Sequence, residues 1–357
     1  MQIDGHHTLT YVVSRLAGLN HEDADIVAYS AQYVDDATNE GSIKFDNGAM
    51  YSRTSSAHRM VDYRNSSELA NHRVWVPFHF LPGNGGLPAG KNPSGKFIDK
   101  LICKPDSYPA RDMLKSMMDD RDKNYALHRL GITLHVYADT FAHQGFAGVN
   151  HKCNEVKDLS SGDITNDHSF FDKMKNYFVS TMFPLGHGAS LSHPDKPFLK
   201  WRYRNGYGQL IKRDNHEIFC AAADAMCRVV QCFIAKDSSM SIEQQLGLSK
   251  EDKILIGKYL AEFTSQNGHE RHAEWLKKIS SGVFSFAAVQ LEFKPKGKGS
   301  WKHQAIQQDK ENDDDDDVFP YHPNFLHSNW KLFHDALQAH RFHILYDILP
   351  KYGICVA

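Results

Sequence analysis

The sequence predicts an all-α fold, a multi-helix bundle built around a site for two or three metal ions. Three observations predict it. Apolar residues recur at helical spacing in segment after segment. One apolar stretch, YALHRLGITLHVYADTFAHQGFAGVNH, carries His135, Asp139 and His143 at i, i+4 and i+8. Further histidines and aspartates are spread through the N-terminal half.

That stretch, Tyr125 to His151, organises the rest. A helix turns about 100° per residue, so positions four apart stack on one face. His128 falls on the same face as His135. Leu127, Leu130, Leu134, Val136, Tyr137 and Phe141 flank the line with apolar surface. Imidazoles and a carboxylate on a core helix are costly unless something satisfies them. A divalent metal does so, since imidazole nitrogen and carboxylate oxygen are common zinc ligands. Histidines hydrogen-bonded into the core are the competing reading. They suit a lone His better than a His, an Asp and a second His at strict spacing.

Composition sets the bounds. The chain has 357 residues, 41% hydrophobic and 24% charged, as in a soluble globular protein. A net charge of −2 gives no global basic field and no strong nucleic-acid signal. The 22 histidines are the outlying number. The six cysteines include no CxxC pair, which argues against a cysteine zinc knuckle. The start lacks a basic segment ahead of its apolar part, and no stretch reads as a bilayer span. The expectation is a reduced, cytoplasmic protein, or one exported by a signal-independent route.

The elements follow in order. Asp4, His6 and His7 precede a helical pattern from Leu9 to Leu16, which Gly18 ends. Asn20 is the expected N-cap of the next helix, which delivers Asp35 and Asp36 at its C-terminal end. Acidic residues there oppose the helix dipole, which hints at a nearby cation. Ser55 to Tyr63 reads as a short helical segment containing His58. Val74 to Gly83, with His79, reads as a packed apolar loop. Arg111 to Arg121 leads into the central helix. His151 and Glu155 again have i, i+4 spacing. Phe170 to Met182 is amphipathic, and His187 follows it. Residues 218–234, 251–263 and 269–279 read as helices, and 284–293 alternates like a strand. The charged run 294–317 is the expected linker, ending in five aspartates, Asp313 to Asp317. Residues 318–357 are expected to dock back as a C-terminal amphipathic helix. The domain division is thus 1–293, 294–317 and 318–357.

The set His6, His7, Asp35, Asp36, His58 or His79, His135, Asp139, His143, His151, Glu155 and His187 exceeds what one zinc takes. It suits two or three ions sharing a bridging carboxylate, an arrangement that serves in-line displacement at phosphorus. This order of residues resembles the zinc-dependent phospholipase C and single-strand nuclease superfamily. The runs QYVDDATNEG, VWVPFHFLPGN and LGITLHVYADTFAHQGFAG more closely resemble a bacterial domain family of that type. The resemblance implies an all-helical, three-zinc phosphodiesterase. It implies that Asp139 bridges two ions. Asp36 or Asp35, with His58 and His135, would complete one site, and the aspartate would also act on the water. His143, His151 and Glu155 would hold a second ion, and His6 or His7 a third. His187 competes with His151, and His79 with His58. Asp36 is favoured over Asp35. The superfamily's N-terminal Trp, whose amine binds zinc, has no counterpart, so the His6–His7 pair with Asp4 is expected to replace it.

The expected activity is phospholipase C-type cleavage of phospholipid head groups by a metal-activated water. The alternatives are a nuclease or nucleotidase on the same scaffold, or a metal-stabilised helical binding module. A lipid substrate implies transient membrane contact, for which the apolar stretch from Phe78 to Leu87 is the candidate.

Overall fold

The protein is described by a computed structural model covering residues 1–58, 67–161, 192–308 and 317–357. Its centre is the expected helix, α6, at Ala126–Ala142. Fifteen of its residues, Leu130, Leu134 and Val136 among them, are buried, so it is core on every side.

The first segment is a π-helical turn, Asp4–Leu9, continued by α1, Thr10–Ala17. Gly18 closes α1 at φ 115°, where a side chain is disfavoured. Asn20 caps α2, His21–Asp36, by accepting from the Asp23 amide. Helix α2 packs closely along α6, and Gly131 permits it. A Cβ there would lie 2.3 Å from the Val27 carbonyl oxygen and 2.6 Å from Ser30 Cβ. Helix α3, Glu68–Phe78, occupies part of the run expected to be loop. Pro77 sits in its last turn, and His79 caps its C-terminus with non-helical geometry. A proline read as a loop marker is here tolerated near a helix end.

Short α4 (Ile98–Leu101) and α5 (Tyr108–Asp119) precede α6. Helix α7, Asn215–Ala235, is long and apolar enough to cross a membrane, contrary to the sequence expectation. It packs against α1 and α6, and Phe219, Ala222, Met226 and Val230 join the main core. Helices α8, Lys250–Glu262, and α9, Gly268–Ser280, fall where expected. No strand forms in 284–293.

The fold is not all-α. Two three-stranded sheets are present among the described residues. In one, β1 (Gly41–Phe45) pairs antiparallel with β2 (Met50–Arg53) and parallel with β6 (Val318–Phe319). In the other, β4 (Lys200–Asn205) lies between β3 (Val156–Ser161) and β5 (Leu210–Asp214). Strand β4 alternates cleanly between exposed and buried positions, while the other strands are short and largely exposed, and Lys, Arg and Ser fill many positions. Trp201 and Tyr203 face inward from β4 onto Phe146 and Phe80.

The expected linker is structured in part. Trp301–Ile306 form α10, and the Trp301 ring stacks on Tyr29 with centroids 3.8 Å apart. Lysine and glycine count masked that one aromatic anchor. The aspartate run Asp313–Asp316 and the amphipathic stretch from Phe170 lie outside the described residues. The C-terminal helix is α11, Asn329–Phe342, followed by a π-helical turn, His343–Ile348. It packs on α6 through Phe333 and Leu337.

Candidate metal centre

Several helix ends converge on one buried place. Asp35 lies in the last turn of α2, His79 caps α3, and His143 caps α6. Helix C-termini carry partial negative charge, so such a meeting point favours a cation. His135 and Asp139 project into it from α6, His6 from the π-helical turn, and Asp195 from the short turn His193–Asp195.

Backbone carbonyls orient the imidazoles. His135 Nδ1 donates to the Ala31 carbonyl at 2.7 Å, across the seam that Gly131 closes. His79 Nε2 donates to the Ser56 carbonyl at 2.9 Å, and His143 Nδ1 to the His79 carbonyl at 2.8 Å. A carbonyl cannot donate, so each of these nitrogens carries a proton, and wherever the ring is neutral its other nitrogen is bare. The bare nitrogens face acceptors. His135 Nε2 and His79 Nδ1 stand 3.2 Å apart, and His143 Nε2 is 3.2 Å from Asp195 Oδ1. Lone pairs so opposed repel unless a proton or a metal lies between them.

Asp139 sits at the middle. Its Oδ2 has no hydrogen-bond partner among the described residues. Around it are His135 Nε2 at 3.4 Å and His79 Nδ1 and His143 Nδ1 at 3.5 Å. Two ligands each about 2.1 Å from a tetrahedral ion stand about 3.4 Å apart. Asp35 Oδ1 lies 3.8 Å from His79 Nδ1 and 3.9 Å from His135 Nε2. Asp35, His79 and His135 thus make one three-ligand group, and His6, His135 and Asp139 a second. The His6 ring stacks on His135 at 3.7 Å. His6 Nε2 is 3.2 Å from Asp139 Oδ1, close but not aligned as a hydrogen bond.

The Met1 ammonium also enters, 2.5 Å from Asp139 Oδ1 and 3.3 Å from Asp195 Oδ1. Burial alone would lower its pKa, but Asp139, Asp195 and Asp35 outweigh burial and raise it to about 11. Burial works against the Asp139 charge too. His143, the ammonium, His6 and His135 reverse that and hold its pKa well below the usual carboxylate range. Burial, with the neighbouring His135 and ammonium, lowers His6 to about 3. For His79, burial is outweighed by the Asp139 and Asp35 carboxylates, and its pKa is raised.

The structure therefore brings together His6, Asp35, His135, Asp139 and His143 from the expected set, and it separates others. His7 turns the opposite way, with Nδ1 2.8 Å from His272 Nε2. Asp36 accepts from Gln32 Nε2 at 3.0 Å and lines a different pocket, with Lys296 and His334. Burial raises its pKa to about 6. Asp35, not Asp36, follows Val27 and Ala31 on the face of α2 that meets α6. His79 joins the cluster, while the His58 ring lies edge-on to Trp75 at 6.3 Å. His151 and Glu155 do not share a helix face. His151 caps a short turn through the Cys153 amide at 3.1 Å, and Glu155 pairs with Lys157 at 3.1 Å. His187 lies outside the described residues. Asp4 does not serve as a ligand, being paired with Arg271. Sequence reasoning missed Asp195 as a member of the cluster, because the His193-Pro194-Asp195 turn belongs to no periodic element. The stretch Phe78 to Leu87 is not an exposed apolar loop, since Phe78, Phe80 and Leu81 are buried.

Comparison with known proteins gives one match. A profile of the family of unknown function DUF6765 covers residues 1–348. The chain belongs to the DUF6765 family. No curated protein and no solved structure matches it. The span of the match takes in every residue of the cluster, from Met1 to Asp195, and the C-terminal helix that packs beside it.

Proposed function

We propose that this DUF6765 chain is a zinc-dependent phosphodiester hydrolase, acting in the phospholipase C manner on a phospholipid head group. The observation that carries the metal reading is the pair of bare nitrogens, His79 Nδ1 and His135 Nε2, facing each other at 3.2 Å beside Asp139. The donor set fits zinc: imidazole nitrogens and carboxylate oxygens, oriented by carbonyls behind them.

Asp35, His79, His135 and Asp139 would hold one ion. His6 with the other Asp139 oxygen would hold a second, in place of the Met1 ammonium that pairs with that oxygen here, and His143 with Asp195 a third. Asp139 would bridge. When bound, paired ions lower the pKa of a water nucleophile and neutralise charge on the phosphoryl oxygens. Asp35 is the ligand with the most exposed side chain, 34% against 1% for Asp139, so it can meet substrate. It is placed to accept the proton of the attacking water. The remaining carboxylates are too enclosed for that task.

The test is elemental analysis of purified wild type and Asp139→Asn, alongside head-group release from phosphatidylcholine and turnover of a generic phosphodiester. Two or three zinc ions per chain, lost in the variant together with turnover, is the expected result. Zinc without turnover of either substrate would reduce the centre to a structural one. A protein without metal would end the proposal.

A further inference from the structure

A second place in the molecule gathers charge of the opposite sign. Arg53 at the end of β2, Arg73 in α3 and Arg341 in α11 line one groove of about 560 Å³. That volume is in the range of small-molecule sites. Neither Arg73 nor Arg341 makes a hydrogen bond or an ion pair among the described residues. Arg53 donates through Nη2 to the Glu40 backbone carbonyl at 3.0 Å. One carboxylate, Glu40, is near enough to favour the Arg341 charge, against Arg73, which opposes it. Three guanidinium groups from three elements therefore share a concave surface, and Glu40 is the carboxylate near Arg341 among the described residues. Like charges so placed repel, and a multivalent anion relieves the repulsion while using the planar forks for paired hydrogen bonds.

The other wall is aromatic. Phe342 and Tyr346 stand four residues apart, with ring centroids 5.4 Å apart. They are 54% and 49% exposed. Exposed rings beside arginines offer a stacking face for a planar base. Gln338 is tied to the Ser52 carbonyl at 2.9 Å, which fixes α11 against β2 and holds the two walls in register.

We propose that this groove binds a nucleoside polyphosphate, with the phosphates on Arg73, Arg341 and Arg53 and the base against Phe342 and Tyr346. The site shares no residue with the metal cluster and stands independently of the hydrolase reading.

Calorimetric titration of the full-length protein with ADP, pyrophosphate and adenosine tests it. ADP binds tightest, pyrophosphate more weakly, and adenosine weakest. Arg341→Gln and the more exposed Arg73→Ala each weaken ADP about tenfold, the loss of one charge-assisted hydrogen bond. Phe342→Ala weakens ADP but leaves pyrophosphate affinity unchanged. Asp139→Asn leaves ADP affinity unchanged. Three results overturn the proposal: no ADP binding by wild type, ADP affinity unaltered in both folded arginine variants, or ADP binding lost in Asp139→Asn. The last would put the nucleotide at the metal cluster.

Discussion

Arg271 Nε donates to Asp4 Oδ2 at 2.5 Å across 267 residues of sequence, and both side chains are buried. The same guanidinium holds Gln2 Oε1 and the Ser265 carbonyl, each at 2.7 Å. Helix α9 thereby clamps the turn that presents His6 to Asp139. Replacing Arg271 with Met leaves Asp4 charged and buried without a counter-ion. The expected cost is about 3–5 kcal/mol, read from urea denaturation. Zinc affinity should fall with it, because the turn carrying His6 loses its anchor.

Gly131→Ala tests the seam between α2 and α6. The added methyl would meet the Val27 carbonyl oxygen at 2.3 Å, and backbone cannot swing aside as a side chain can. Overpacking of this kind costs about 1–3 kcal/mol. Separating the helices also moves Asp35 and the Ala31 carbonyl away from His135. Weaker zinc binding is therefore expected together with a lower Tm, measured by competition with a chromophoric chelator and by calorimetry.

Ligand substitutions should sort by geometry. His79→Ala is expected to weaken zinc binding strongly. His151→Ala and Glu155→Gln should leave metal content unchanged, since the first caps a turn and the second pairs with Lys157. Loss of zinc in either of the latter would show that the cluster has been drawn around the wrong residues.

Metal removal should lower thermal stability. A ligand that binds only the folded state at about a thousand times its Kd adds about 4 kcal/mol. Chelator treatment is expected to lower the Tm of wild type, while Asp139→Asn, already without metal, should show no such response in the same scan.

Acid should unfold the protein through histidines away from the cluster. Burial lowers the pKa of His128 to about 4, of His272 to about 4 and of His334 to about 3. In the unfolded chain each is near 6.5. Below that value the unfolded state takes up protons that the folded state refuses. Stability is thus unpenalised above about pH 6.5 and falls as pH drops toward the folded values, by about 1.4 kcal/mol per pH unit for each residue. His334→Asn should flatten this slope in denaturation curves taken across that window. An unaltered slope would mean that His334 is protonated in the native state.

The longer helices α2, α6, α7, α8 and α9 were legible because their apolar spacing is regular, whereas α3, with Pro77 in its last turn, and α10, in a Lys- and Gly-rich run, were not. Asn20 could be read as a cap and α6 as the centre from residue order alone. The strands were not, since β1, β2, β4 and β5 are short and carry Lys or Arg, and the β1–β6 and β3–β4 pairings join distant segments. At the cluster, the i, i+4, i+8 line of His135, Asp139 and His143 was the strong signal. Asp35 was recoverable too: counting in fours from Val27 through Ala31 reaches it, whereas the preference for Asp36 ignored which face of α2 meets α6. The pair His151 and Glu155 misled because i, i+4 spacing means nothing without a helix to carry it. Asp195 and the Met1 ammonium came from no pattern at all. Only the tertiary fold places them.

The Asp4–Arg271 clamp also has a meaning in time. A growing chain delivers every cluster residue by Asp195, yet the cation that neutralises Asp4 arrives only with α9. While the polypeptide is still tethered to the ribosome, Asp4 waits for its guanidinium partner, so the last fastening of the opening turn comes late in synthesis. Premature termination ahead of Arg271 would leave every cluster residue present and Asp4 buried beside no arginine.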